Sequence, residues 1–491
     1  MKTGDRIADR ASLTSIQGGK ATRDFTSRKG MTGISNRGAT SVTLTRNAVQ
    51  WMEPGLCFLA MAGVLVSVLL GFHPREWQAS GSDLKTLYAS AQCFREHIDA
   101  YTFTNIESVF RSNHVVPPDS WYAHAPVYPP FTLAIVAPLT LIPMVPAVYL
   151  WITLSTFALA LAMFSLIRAA DVNFHTPFGW RMLLIGLAAA SPLASFSLEM
   201  CNVSVLVAAL CIFAVAQPGE DRLFNFARPA ALCAGLLLKP HLAIWIVFAL
   251  VVSKSPKDRA LARWTAFLFA ASCLAIGAWM ATQHQLASQL SAYRSIVASE
   301  LNDGSMAASN HEIIAVAAQI TSLGSLLGYW IHSFPLTLLT DAGLALLATG
   351  LIAAVWRIDR ADHGGRLLGI AGFAAFGMLA TYHRAHDGTV LLLLLPYVVW
   401  RLQQSWHDWF AWGFIFVSFV CGLGPSLETL DWISDGLGFE RLANLLAYRQ
   451  APVSFLLLFV LVIAEAFRSR PQATAQVVAH QEYESKLQMA S

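Results

Sequence analysis

Apolar residues run in blocks along this 491-residue chain, and polar residues gather between the blocks. A membrane-crossing helix needs about 20 predominantly apolar residues, fewer where it is buried among others. On that length the blocks predict spans at roughly 54–72, 143–167, 182–198, 203–217, 224–238, 241–253, 264–282, 333–356, 366–381, 389–402, 409–425 and 451–467. That makes about twelve helices, within a range of ten to thirteen. Residues 228–253, RPAALCAGLLLKPHLAIWIVFALVVS, have the length of one long span. Pro240 disfavours helix at Lys239 and cannot donate the bond that a helix requires, so two short helices are expected to meet there.

The split also settles orientation. Cytoplasmic segments retain Lys and Arg. With the split, Lys254, Lys257, Arg259 and Arg263 return to the cytoplasmic side, and the tails and inward loops together hold 24 of the 33 basic residues. Both termini are then cytoplasmic. Residues 1–50 carry nine Lys/Arg against three Asp/Glu and little apolar periodicity, which predicts a disordered basic tail. Residues 51–470 form the membrane domain, and 471–491 a C-terminal cytoplasmic tail. The long polar segments, 73–127, 283–332 and 426–450, all face outward on this map, as do the turns at residues 199–202, 239–241 and 382–387.

Composition agrees with an all-α polytopic membrane protein. Apolar residues make up 55% of the chain, charged residues 13%, and mean hydropathy is +0.52; a soluble domain carries about 25% charged residues. The net charge of +3 and the lack of a basic patch interleaved with aromatics exclude a nucleic-acid partner. Seven scattered cysteines without a C-x-x-C pair read as small apolar residues. Neither a phosphate-binding Walker loop nor a dinucleotide fingerprint is present.

The polar residues at the outer rim carry the candidate chemistry. SGSDLKTLYAS, residues 80–90, places Asp83 just beyond the first span. Asp83 suits a catalytic carboxylate, and equally an N-cap for a helix starting at Leu84. Lys239 stands alone at a span end, where a lysine can bind an anion or snorkel to the headgroups. The turn Tyr382-His383-Arg384-Ala385-His386-Asp387 reads either as a ligand-binding group or as a closed ion-pair network. His383, His386 and Asp387 together also contain metal-ligand types. Tyr128-Pro129-Pro130 is rigid and leads into an apolar run broken by Pro138 and Pro143, the pattern of a short interfacial helix that can line a lipid-tail groove.

These features come in a telling order: D-x-x-x-x-Y at Asp83 and Tyr88, Y-P-P at Tyr128 to Pro130, an Asn turn at Asn202, and L-K-P at Leu238 to Pro240. That order resembles bacterial glycosyltransferase family 87, the polyprenyl-phosphate-mannose-dependent mannosyltransferases of the GT-C fold, over about residues 54–400. The resemblance implies a GT-C-type bundle in the bacterial inner membrane with its active site outside. It implies a polyprenyl-phosphate sugar donor, mannose as the sugar, and a lipid or glycan acceptor. Asp83 would be the general base. Lys239, His241, His383, Arg384, His386 and Asp387 would face the donor phosphate and sugar, with Tyr88, Tyr128, Pro129, Pro130 and Asn202 lining the substrate groove. Two motifs depart from the family: Glu-Met-Cys-Asn replaces a Gly-Gln/Asn-x-Asn turn, and YHRAHD lacks the tryptophan common in the late histidine motif.

The chemistry stands without the family. Sugar transfer passes through an oxocarbenium-like state. Phosphate is already a good leaving group, so the minimum is a base for the acceptor hydroxyl and cations for the phosphate. General-base help contributes about 10²–10⁴-fold. A single base on one face makes inversion the natural outcome, and lysine and arginine make a metal unnecessary. The rivals are a polytopic transporter, expected to show matching broken helices in both halves, and a lipid-linked polymerase or ligase with an arginine-rich outer loop. Here both broken spans lie in the first half, and residues 283–332 contain only Arg294.

Overall fold

In a computed structural model, the structure describes residues 55, 62, 82–115, 127–189, 191–216, 222–302, 322–330, 336–358, 363–381, 383–423 and 440–468. All of them belong to one compact unit, Met52–Ser491. The N-terminal tail, nearly all of the expected first span 54–72, residues 116–126, 303–321 and 424–439, Tyr382 and the C-terminal tail lie outside the described residues.

Every regular element among the described residues is helical. The polar segment 73–127 contributes α1 (Ser82–Arg95) and α2 (Phe103–Ser112). The Y-P-P segment leads into α3 (Pro130–Val136), followed by a 3₁₀ turn at Ala137–Leu141. Pro130 occupies the first helical turn, where its missing N–H costs nothing, and Pro143 stands at the N-cap of the next helix. That helix is α4 (Met144–Phe174), followed by α5 (Phe178–Ala189), α6 (Pro192–Glu199), α7 (Val203–Ala216), α8 (Arg222–Leu238) and α9 (Pro240–Val251). Beyond them run α10 (Pro256–Thr282), α11 (Leu286–Asn302), α12 (Leu323–Trp330), α13 (Leu336–Arg357) and α14 (His363–Ala380). A 3₁₀ segment at Ala385–Leu394 passes into α15 (Leu395–Gln404), and α16 (Trp409–Leu423) and α17 (Glu440–Arg468) complete the described fold.

The expected count of about twelve spans, short ones included, is not confirmed by the described helices. Among the described residues, four helices are long and apolar enough to cross a membrane: Met144–Phe174, Pro256–Thr282, Leu338–Arg357 and Gln450–Arg468. The other apolar blocks fold as shorter helices. At about 1.5 Å per residue a fourteen-residue helix covers only about 21 Å, less than the roughly 30 Å hydrocarbon core. The expected span at 182–198 is two helices, α5 and α6, separated before Pro192. The expected span at 389–402 begins as the 3₁₀ segment and becomes α-helical only at Leu395. The split of 228–253 is present, with α8 ending at Leu238 and α9 starting at Pro240.

Short helices survive because they are enclosed. Every side chain of α7 except Leu206 and Leu210 is buried, and α14 is buried along most of its length. By contrast α10 and α13 expose Trp264, Phe267, Leu274, Leu346 and Trp356, the face a helix turns to lipid. The chain is a membrane protein built around a packed centre of short helices. The segment around α1 is tied to the start of α11: Gln285 and Gln289 donate through Nε2 to the carbonyls of Phe94 and Ile98 at 3.1 and 3.0 Å.

Candidate active site

Four breaks in the helical pattern meet at one place. Asp83 lies in the first turn of α1, which starts at Ser82, two residues before the Leu84 start that a cap at Asp83 would require. Its Oδ2 accepts a hydrogen bond from Asn202 Nδ2 at 2.5 Å. Asn202 immediately precedes α7, and its Oδ1 accepts from the Ser204 backbone N–H at 2.8 Å. That is an N-cap bond, and it fixes which end of the amide faces the helix and which faces Asp83. The preceding residue, Cys201, has φ of 51°, a left-handed conformation that is uncommon for a non-glycine residue. Burial pushes its thiol up to about 12, so it remains protonated and acts as a spacer in the turn.

Lys239 occupies the break between α8 and α9 with φ −149° and ψ 79°. The carbonyls at the end of α8 need new partners there, and Thr132 Oγ1 of α3 donates to the Leu237 carbonyl at 2.7 Å. Freed from the helix, Lys239 Nζ donates to Asp387 Oδ1 at 2.6 Å and to Ser204 Oγ at 2.7 Å. An ammonium has three N–H donors, so one has no partner among the described residues.

Asp387 is the hub. Besides Lys239 it receives the Ser204 hydroxyl, His383 Nδ1 at 2.8 Å and the Arg384 backbone N–H at 3.3 Å. A buried carboxylate keeps its charge when donors and an opposite charge surround it in this way. His386, also buried, has Nε2 3.7 Å from Asp387 Oδ1, beyond hydrogen-bond distance. His383 precedes the 3₁₀ segment and His386 lies within it, so the two approach the same carboxylate from different backbone conformations. The first turn of α9 brings His241 against His383, with ring centroids 4.8 Å apart.

The structure thus gathers Asp83, Asn202, Lys239, His241, His383, Arg384, His386 and Asp387. Tyr88, Tyr128, Pro129 and Pro130 lie outside this network. Tyr88 donates to the Ile142 carbonyl at 2.7 Å, Tyr128 accepts at its carbonyl from Tyr101 at 2.7 Å, and both prolines are buried at the start of α3. Two residues were missed by the sequence reasoning. Ser204 has no signal beyond being a hydroxyl in an apolar helix. Lys85, two residues after Asp83, is buried near Cys201, and that burial lowers its ammonium from the usual lysine range. His241, His383 and Asp387 also offer ligand atoms all within 4.8 Å of one another. The Lys239 ammonium already sits on the same carboxylate, which opposes a second cation there.

A profile described as Glycosyltransferase family 87 matches residues 127–381, just over half of the chain. The chain belongs to glycosyltransferase family 87. It is an enzyme, a membrane glycosyltransferase that uses a sugar donor and an acceptor. No curated protein and no solved structure matches this family 87 transferase. The matched segment takes in Tyr128, Asn202, Lys239 and His241 and stops short of His383, while Asp83 precedes it. The clustering of these two flanking groups on Asn202 and Lys239 therefore comes from the geometry alone.

Proposed function

We propose that this family 87 transferase adopts the GT-C architecture and moves a sugar, mannose, from a polyprenyl-phosphate donor to a lipid or glycan acceptor at the outer face of a bacterial inner membrane. Asp83 takes the proton of the acceptor hydroxyl, and the configuration at the anomeric carbon inverts. Lys239 and Arg384 meet the departing phosphate, with His241, His383, His386 and Asp387 around it. Tyr88, Tyr128, Pro129 and Pro130 border the groove for the lipid. The observation that carries this reading is the run of polar contacts from Asp83 to Asn202, from Asn202 to the Ser204 backbone N–H, and from the Ser204 hydroxyl to Lys239. It ties a carboxylate suited to act as base to an ammonium with a donor to spare.

Charge supports the same assignment. As the glycosidic bond breaks, negative charge collects on the phosphate, and preorganised cations stabilise it most where water is excluded. Asp387 holds Lys239 in place, and the remaining N–H is available to an anion. The ammonium supplies the positive charge that a divalent ion would otherwise bring, so the reaction runs without a metal. Purified enzyme supplied with radiolabelled polyprenyl-phosphate hexoses and membrane lipid extract tests the reading. Labelled product is expected from the mannose donor, and at the same rate with a chelator present. Transfer from a nucleotide sugar alone, or a chelator-sensitive rate, contradicts it.

A further inference from the structure

Ser204 sits in the first turn of α7, fully buried, and is the only hydroxyl residue in the run VSVLVAALCIFAVA. Apolar packing alone gives no reason for it. Its hydroxyl touches three polar groups from three separate elements. It accepts from Lys239 Nζ at 2.7 Å, and it lies within hydrogen-bond reach of Asn202 Oδ1 and of Asp387 Oδ1. A hydroxyl has one proton, so it donates to only one of those two oxygens at a time. Each oxygen keeps another donor meanwhile: the Ser204 backbone N–H serves Asn202, and Lys239 serves Asp387. The hydroxyl therefore joins the amide that holds Asp83 to the ion pair that holds Lys239.

We propose that Ser204 is a positioning residue for sugar transfer: its hydroxyl fixes the Lys239 ammonium relative to Asp83, so that the donor phosphate and the acceptor hydroxyl are held in one register. This rests on the reading that Asp83 is the base and Lys239 meets the phosphate. Reaction rates depend steeply on such placement, and an ångström of misplacement can cost about 10²-fold. Without the hydroxyl, Lys239 keeps Asp387 but loses its second anchor, and Asn202 keeps its cap but loses its link to the ammonium. The consequence is a looser phosphate contact together with a slower chemical step, in an enzyme that still folds.

The test compares the parent with Ser204→Ala and Ser204→Thr, each as the full chain in lipid nanodiscs. Affinity for undecaprenyl phosphate, the lipid product common to any sugar donor of this class, is measured beside turnover with polyprenyl-phosphate mannose. Ser204→Ala is expected to weaken undecaprenyl phosphate binding about fivefold and turnover about tenfold, and Ser204→Thr to restore both to within about twofold. A merely structural role would reduce the active fraction, leave the affinity of the folded enzyme at the parental value and gain nothing from threonine. Parental affinity and turnover in Ser204→Ala, or equal impairment in both variants, overturns the inference. A parent that does not bind undecaprenyl phosphate overturns the donor reading, and the inference falls with it. Full turnover in Asp83→Asn removes the base assignment and the register between base and ammonium, even if Ser204→Ala still binds the lipid weakly.

Discussion

Lys239 shows how a residue at a break acquires a task. Its backbone has left the helix, its side chain is buried, and two of its three donors are taken by Asp387 and Ser204. Replacing it with alanine leaves the Asp387 carboxylate buried without its counter-charge, a loss of about 3–5 kcal/mol for pairs of this kind. Lys239→Ala is therefore expected to lower the unfolding midpoint, and in the folded fraction to raise the donor KM about tenfold with the acceptor KM within about twofold. Arg384→Ala, whose side chain is only half-buried, should reproduce the donor effect with less loss of stability. Equal effects on donor and acceptor would contradict the phosphate assignment. Asn202, Lys239 and the histidine turn were legible in the sequence because each interrupts an apolar run, and Asp83 because it stands just beyond one. Ser204 was not: one hydroxyl inside an apolar helix has the same local pattern whether it faces a carboxylate or a carbonyl of its own helix. Lys85 was likewise hidden, since an ordinary surface lysine after an acidic residue has the same spelling.

At the scale of elements, the site depends on how closely the 3₁₀ segment 385–394 approaches its neighbours. Gly388 follows Asp387 directly, and a Cβ there would overlap the ring of Phe455 on α17 and lie 3.3 Å from Leu193 on α6. Gly377 on α14 stands against Trp245 on α9 in the same way, one turn beyond His241. Added methyl groups in packed cores cost about 1–3 kcal/mol. Gly388→Ala should lower the thermal midpoint by a corresponding amount and reduce turnover, because the displaced segment takes Asp387 with it. Unchanged turnover would mean that the Asp387 position tolerates movement. The breaks at Pro240 and Pro143 could be read from the sequence because proline removes a donor wherever it stands. The 3₁₀ segment could not. AHDGTVLLLL is as apolar as a span, and its tighter winding is imposed by neighbours that lie far away in sequence.

For the molecule as a whole, apolar content identified a membrane protein, but it did not separate the four helices long enough to cross a membrane among the described residues from the shorter apolar ones. A block of 12 to 14 apolar residues has the same composition whether it meets lipid or other helices, and only packing separates the two. The basic residues hold a similar lesson. Arg366 was counted as one of the simple charges of an inward loop, yet it pairs with Asp258 at 2.7 Å and donates to the Val215 carbonyl at 2.7 Å. It thereby fastens α14 to the start of α10 and the end of α7. Arg401 similarly bridges Asp408 and Glu465. Arg366→Ala strands Asp258 in a buried position and should cost about 3–5 kcal/mol, seen as an earlier unfolding midpoint in detergent. Donor KM should stay at the parental value. A changed donor KM would show that this distant pair also shapes the site.

The central claim is that Asp83 removes the acceptor's proton within reach of a lipid-borne phosphate. It is tested most directly by turnover of Asp83→Asn in nanodiscs with polyprenyl-phosphate mannose and membrane lipid extract. Asparagine keeps the size of the side chain and can still bond to Asn202, but it cannot take a proton, so transfer is expected to fall by at least about 10²-fold with undecaprenyl phosphate affinity retained. Parental turnover in that variant would contradict the account.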